Sequence, residues 1–446
     1  MMKVFLLSML MVTLYCLFVP TDGYAQEDTF DTFQEPAVKN NTDKKKKSKR
    51  RKSGFFFKDS GTGYRWSNGR NEIRLGGFLQ LDSRTYFEDG IDLGKDNFLL
   101  RRIQPLLEVR LGKTYRFYIL PSFSAAPGIL DVYAERRFHR SFNLRAGKFK
   151  APFGLERLQS ATALAFNERA FPTNLAPNRE IGAQIFGEIL GGTTEYQLGI
   201  FSGNIDNSAG LRDSVINSNN SGFDFVARVF AHPLKHTGPE FLEGLGLGIA
   251  YSYGTQRGSS QAGDANLPAF ISPGQQSIAR YARGAHADGS RERIGPQLYY
   301  HWGPFGIMSE YTISQQNIRF GTVSDKVTND AFQVQLSWVL LNGDASFRRM
   351  RPSKPFALES IGSLGAVQLV ARYSALNLDT KAFAHGLFDR DRSVSKAQDF
   401  GIGINWYLNR NVKFQIDYDQ THFSHGAADH HRPTEKILFS RMQIAF

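Results

Sequence analysis

Arginine carries the chemistry in this sequence. Between Gly154 and Gly182 the chain reads "GLERLQSATALAFNERAFPTNLAPNREIG", and Arg157 and Arg169 each follow a glutamate, Glu156 and Glu168. Lys148 and Lys150 stand just before it. A guanidinium offers a planar fork of donors that matches an oxyanion, and an ammonium adds a compact point charge. Converging on one spot, such groups attract and hold anions. A second reading is open for the same residues: Glu156, Arg157, Glu168 and Arg169 could pin the segment through ion pairs. Catalysis has less support. Histidines occur at His232, His236, His301 and in "SHGAADHH" (His425, His430, His431), but no serine or cysteine motif with an elbow or triad accompanies them. We expect no enzyme, no cofactor and no metal.

Elements elsewhere in the chain must position these cations. Met2-Lys3, an apolar stretch from Val4 to Val19, and small residues at Gly23 and Ala25 read as a signal peptide over residues 1–25. The single cysteine, Cys16, lies inside it, so the exported chain has neither a disulfide framework nor a thiolate metal site. No later apolar run reaches the roughly 18 residues of a spanning helix. The apolar residues alternate instead. In "NEIRLGGFLQLDSRTYF" (71–87), Ile73, Leu75, Leu79 and Leu81 share one face and Arg74, Gln80, Asp82 and Arg84 the other.

Sixteen such segments follow one another, beginning at 71, 98, 114, 129, 142, 180, 194, 223, 244, 292, 305, 330, 366, 399, 412 and 435. Most are long enough for the roughly 9–11 residues with which a tilted strand crosses a bilayer. Tight connections such as 112–113, 139–141, 191–193, 303–304 and 409–411 alternate with longer ones such as 150–179, 203–222, 255–291 and 375–398. That is the short-turn, long-loop pattern of a membrane barrel. The segments 232–243 and 341–365 are long for turns and put one or two strands in question. The chain ends inside a strand, with Met442, Ile444 and Phe446 on one face. On a soluble β-sandwich that free apolar edge invites aggregation, whereas in a barrel it pairs and faces lipid. The expectation is an all-β fold: a transmembrane antiparallel β-barrel of about 16 strands over 71–446. Residues 26–70 form a periplasmic, largely disordered basic segment, and 150–179 is a third outer loop.

"NLRAGKFKAPFGLERLQS" followed by "FNERAFPTNLAPNREIGAQIFGE" resembles the phosphate-selective porin O and P family of Gram-negative outer membranes. "DFVARVFAHP", "GPFGIMSEYT", "QLVARYSALNL", "GINWYLNRNVKFQIDYDQT" and "FSRMQIAF" extend the resemblance from about 71 to 446. It implies a homotrimer of 16-stranded barrels in the outer membrane that passes inorganic phosphate or other small anions, in contact with outer-membrane lipid and lipopolysaccharide. It implies a third loop folded into the lumen as a constriction, with Arg101, Arg102 and Asp131 as strand-borne residues contacting the anion. Strict alternation points Arg101 the wrong way unless its strand bulges. "SATALAFNER" within that loop has the propensity for a short helix.

Alternation also sends Arg74, Arg102, Arg116, Arg145, Arg372 and Arg441, among others, to the lumen side, because a cation facing lipid at mid-membrane costs roughly 2–4 kcal/mol. The plainer reading is that most of them balance carboxylates such as Glu108, Glu135, Glu310 and Asp417. The chain carries a net charge of +12, with four of those charges in residues 27–53. "KKKKSKRRK" (44–52) holds eight basic residues in nine. Export excludes nucleic acid as its partner, which leaves a solvated tail, anionic lipid or cell-wall polymer.

Overall fold

The computed structural model describes residues 53–446 apart from 59–60, 88–93, 125–126, 207–221, 262–264, 358–362 and 427–431. The signal peptide (1–25), the basic tract (44–52) and His430 and His431 lie outside the described residues. A short hairpin opens the structure, β1 (Gly54–Lys58) and β2 (Gly61–Trp66). Then come β3 (Asn71–Tyr86), β4 (Asn97–Leu111), β5 (Tyr115–Ser122), β6 (Gly128–His139) and β7 (Phe142–Lys150). After the long third loop follow β8 (Arg179–Ile189), β9 (Thr194–Phe201), β10 (Asp224–Ala231) and β11 (Leu245–Arg257). A small pair, β12 (Phe270–Ile271) and β13 (Ser277–Ala279), sits in the fifth loop. The wall continues with β14 (His286–Trp302), β15 (Phe305–Phe320), β16 (Val323–Leu341) and β17 (Ala366–Asn377). It ends with β18 (Val394–Tyr407), β19 (Val412–Gly426) and β20 (Glu435–Ala445).

Sixteen strands, β3–β11 and β14–β20, close an antiparallel barrel. Closure is β20 on β3, in register from Ile437 opposite Tyr86 to Ala445 opposite Phe78. The terminal residue completes the seam: Phe446 donates its N–H to Gly77 O (2.9 Å) and accepts from Gly77 N (2.8 Å). Lipid offers no substitute partner for a free edge, so this last rung matters. All sixteen segments read from the alternation are strands. The connections 232–244 and 342–365 are long turns and remove none of them.

Two differences appear at the edges. Strands β15 and β16 run on beyond the alternating segments and meet in a turn of only two residues, 321–322. The expectation of a disordered 26–70 segment also fails for the hairpin. β2 pairs with the first residues of β3, from Thr62 opposite Leu75 to Trp66 opposite Asn71, below the point where β20 ends. No helix among the described residues is long and apolar enough to cross a membrane; strands do the crossing.

A closed barrel held by strand pairing resists detergent. The purified protein should give a predominantly β circular-dichroism spectrum and migrate differently on detergent gels with and without boiling. Identical migration would contradict the closed wall.

Candidate anion constriction

The third loop, 151–178, folds into the barrel and stays there. Phe153, Leu155, Leu164, Phe166, Phe171 and Leu175 are all buried. It contains one turn of helix, α1 (Leu155–Leu158), and a 3-10 turn, Phe171–Asn174. Gly154 begins α1 at φ 73°, where a side chain would be strained and would press on Arg157 Cβ at 3.0 Å. The Glu310 carboxylate on β15 accepts the first two helical N–H groups, Leu155 N at 2.6 Å and Glu156 N at 3.2 Å. These orphan donors have no intrahelical partner, and a carboxylate satisfies both.

The helix expected over 160–169 does not form. Its backbone groups are used against the wall instead. Ala161 O accepts from Gln80, Leu164 O from Lys413 and Gln415, and Ala165 O from Asn405 and Gln415. Asn167 N donates to Asp417, and Glu168 O accepts from Arg372. A helix would consume those same carbonyls, so the lumenal side chains outbid local propensity. The loop touches strands on both sides of the lumen, which makes it a plate across the channel.

The cations gather where this plate meets β3, β4, β7 and β8. Arg101 reaches the lumen because β4 bulges: Gln80 pairs with Arg102 but Leu81 with Leu100, leaving Arg101 as the extra residue. It makes a two-pronged bond to Glu168, Nε to Oε1 at 2.6 Å and Nη2 to Oε2 at 2.9 Å, and Arg84 adds a third contact at 3.2 Å. Arg102 is buried and donates to Gln80 Oε1 at 2.6 Å. Asp131 is held by Arg179 through bonds of 2.9 and 3.3 Å. Lys150 donates to Gln159 O at 2.9 Å and Arg157 to Thr173 O at 2.6 Å. Arg169 donates to Glu156 O at 3.2 Å and Gln159 O at 3.1 Å.

Arg169 is the hub. Lys150, Arg101, Arg102, Arg157 and Arg179 all lie within electrostatic range of it. Asp131, Glu156, Glu168 and Glu310 are among the carboxylates that face them. Arg101, Lys150, Arg169 and Arg179 keep partial exposure, which leaves donor edges open to the lumen. The pinning role foreseen for the glutamate-arginine pairs holds in part: Glu168 anchors the loop to the wall, while Arg157 and Arg169 brace it from within. Lys148, opposite Val132 on β6 and Ile181 on β8, is buried. Arg179 was missed. As the first residue of β8 it sits where loop becomes strand, and parity gives no signal there.

Away from the plate, balance prevails. Glu108 takes Arg74, Arg110 and Arg116; Glu135 takes Arg137 and Arg145; Asp82 takes Arg441. Below the plate, residues 345–350 fold back into the mouth of the barrel, where Ala345, Phe347 and Met350 are buried. Phe347 stacks on Tyr299 at 5.1 Å and accepts a bond from Gln159 Nε2 at 2.7 Å, joining turn to loop. His232 donates to or accepts from Tyr299 Oη at 2.8 Å inside this aromatic group.

A family model described as phosphate-selective porin O and P matches residues 73–446. The chain belongs to this family. This porin is 23% identical over 296 residues to the curated Porin O of Pseudomonas aeruginosa; the match covers 62% of this chain and 64% of the relative, a little under two thirds of its length. Among solved structures, the outer membrane channel DcaP of Acinetobacter baumannii aligns at TM-score 0.56 and 12% identity, over 86% of this chain and 99% of that one. An anion-selective porin from Comamonas acidovorans aligns at 0.52 and 10%, over 84% and 100%. The trimer form of OmpT from Vibrio cholerae aligns at 0.51 and 8%, over 84% and 99%. At such identities these likenesses establish the fold alone. Family and fold together place the chain among the outer-membrane porin barrels.

Glu168 sets how firmly the plate is held. Burial works to raise its carboxyl, but Arg101 beside it, with Arg102 and Arg441 nearby, holds it well below the usual carboxylate range. A depressed value means that the anchor contributes fully above the ordinary glutamate value of about 4.3 and is lost only as pH falls through the lower folded value. The Glu168 anchor should therefore add no conductance step between about pH 8 and about pH 5 beyond those that Glu168→Gln also shows, and Glu168→Gln should give a noisier, larger conductance at neutral pH. A conductance step centred in the ordinary glutamate range would contradict the anchor.

Proposed function

We propose that this porin is a homotrimeric, anion-selective passive channel whose third-loop plate prefers phosphate-like oxyanions. The observation that carries the reading is the cluster of Lys150, Arg157, Arg169 and Arg179 around one point of the plate, with Arg101 and Arg102 behind it. A positive surplus in a confined, poorly hydrated passage raises the local anion concentration and speeds entry. Chloride needs only that charge. A tetrahedral oxyanion gains more, because several N–H groups from different side chains can each take one of its oxygens. The donors already committed to backbone carbonyls keep the cluster preorganised and limit how tightly it can grip, which favours release. The family description and the curated Porin O point the same way, as does the Comamonas acidovorans structure, named an anion-selective porin. The trimer reading draws on the trimer form of OmpT. Residues 1–25 serve export, 26–53 lie in the periplasm, and the wall meets outer-membrane lipid and lipopolysaccharide.

One observation favours a plainer channel. Arg101 is committed to Glu168 and Arg179 to Asp131, so part of the charge is spent within the protein. A general, weakly anion-selective pore follows if those pairs do not yield to a passing anion.

Phosphate titrated into a chloride bath separates the two. The phosphate reading expects a saturable fall in chloride current, and expects Arg169→Glu to abolish that block and move the reversal potential toward cations. Arg169 is suited to this because its bonds go only to carbonyls of its own loop. Unsaturable, weak inhibition by phosphate in the parent would leave the general pore standing.

A further inference from the structure

The outward faces of β17–β20 carry charge of one sign. Every carboxylate on these strands, Asp399, Asp417, Asp419 and Glu435, is buried on the lumen side, and so are Arg372, Lys413 and Arg441. Alternation puts Lys396 and Lys436 on the other face, where both are half-buried, with His422 exposed on the strand between them. The register gathers these residues at one end of the wall. Lys396 pairs with Ser424, Gln398 with His422, and Gln420 with Lys436. The neighbours of the cations are thus amides and hydroxyls, and His422 Nδ1 lies 3.2 Å from Thr434 Oγ1. This end of the wall carries the loop 378–393, and the long loops of such barrels face out of the cell.

What lies beneath fixes the level of this polar group along the wall. Phe87, Tyr373 and Phe400 are exposed on the same face, and the Phe87 ring stands 5.9 Å from Tyr418. Tyr373 pairs with Phe400 and Phe400 with Gln420, while Phe87 N donates to Lys436 O at 3.0 Å. Gln398 Nε2 donates to the Tyr373 hydroxyl at 2.7 Å, joining the polar group to these rings. Next come exposed aliphatic residues, Ile402, Ile404 and Ile416. Trp406 and Phe414, with rings 6.1 Å apart, close the series at the other end. Two aromatic belts with an aliphatic band between them mark the two headgroup levels and the hydrocarbon. Lys396, Lys436 and His422 therefore stand at the headgroup level of the loop end, where a lysine costs little and its ammonium meets phosphate.

We propose that the loop ends of β18–β20 are a docking surface for the phosphorylated sugar headgroup of an outer-leaflet glycolipid, with Lys396 and Lys436 on its phosphates. The inference rests on the lipopolysaccharide contact proposed above and assigns it to one face of the wall. The two lysines stand two strands apart and four residues out of step, about 16 Å between backbones. Their flexible stems let both ammonium groups reach one disaccharide that bears a phosphate at each end. His422, Gln398, Gln420 and Ser424 lie between them and offer hydrogen bonds to the sugar. The acyl chains then run down over Phe400, Ile402 and Ile404, which the wall leaves exposed. With all four carboxylates turned to the lumen, nothing on this face of the four strands repels the phosphates.

Native mass spectrometry of the full exported chain in detergent, titrated with purified lipid A, tests the assignment. The double variant Lys396→Gln, Lys436→Gln should bind lipid A several-fold more weakly than the parent, and chloride conductance at the parent's value should accompany the loss. Enzymatic removal of both phosphates from the lipid should cost the parent as much as the double variant loses. Arg136→Gln, which removes an exposed cation near the turn 140–141 at the opposite end of the wall, should bind as the parent does. Equal lipid A binding by parent and double variant overturns the assignment to this face and leaves the wider lipopolysaccharide contact standing. A parent that binds no lipid A overturns both. Dephosphorylated lipid A bound as tightly as lipid A overturns the phosphate contact. Phosphatidylglycerol bound as tightly as lipid A, and lost equally in the double variant, overturns the glycolipid in favour of any anionic headgroup.

Discussion

Every backbone N–H and C=O placed in hydrocarbon must find a partner within the protein, and the rest of this structure follows from that demand. The wall meets it by closure. The final exchange of two hydrogen bonds between Phe446 and Gly77 removes the last free edge. Once the wall is complete it needs nothing from the lumen, so the lumen is free to carry charge. The inward side chains include arginines, carboxylates and amides, many of them paired with one another, as Glu108 is with Arg74, Arg110 and Arg116.

The third loop obeys the same demand by other means. It has almost no secondary structure, so its carbonyls and N–H groups must be satisfied by side chains, and those come from the wall: Gln80, Lys413, Gln415, Asn405, Asp417 and Arg372. Breaking one buried ion pair by removing a partner costs about 3–5 kcal/mol, but no single contact carries the plate. The anchors are distributed around the circumference. The price is paid in cations: part of the positive charge that could meet a solute is committed to holding the loop. What is left over, centred on Arg169, is the charge on which the proposed anion passage rests.

The strands were legible because lipid on one side and water on the other impose a period of two, and the chain has few ways to satisfy both. Arg101 was informative for the same reason. Its clash with alternation required a bulge, and the bulge is there between Gln80 and Leu81. Outside the membrane the period loses its cause, so the extensions of β15 and β16 through polar sequence left no mark. The non-helical course of 160–169 was hidden because the groups that override alanine propensity lie some 250 residues away, as with Lys413 to Leu164. Arg179 and the hairpin at 54–66 escaped for a related reason. Each takes its meaning from a neighbour strand rather than from its own surroundings in sequence.

The central claim is that one inserted loop sets both the width and the charge preference of the channel. Excising residues 156–176 and recording single channels of the correctly inserted variant tests it most directly, since the strands on either side pair independently of the loop and loop length itself costs little stability. The account predicts a several-fold rise in conductance together with a fall in anion preference, read from the same channels in a salt gradient. An inserted variant with the parent's conductance and the parent's reversal potential would contradict it.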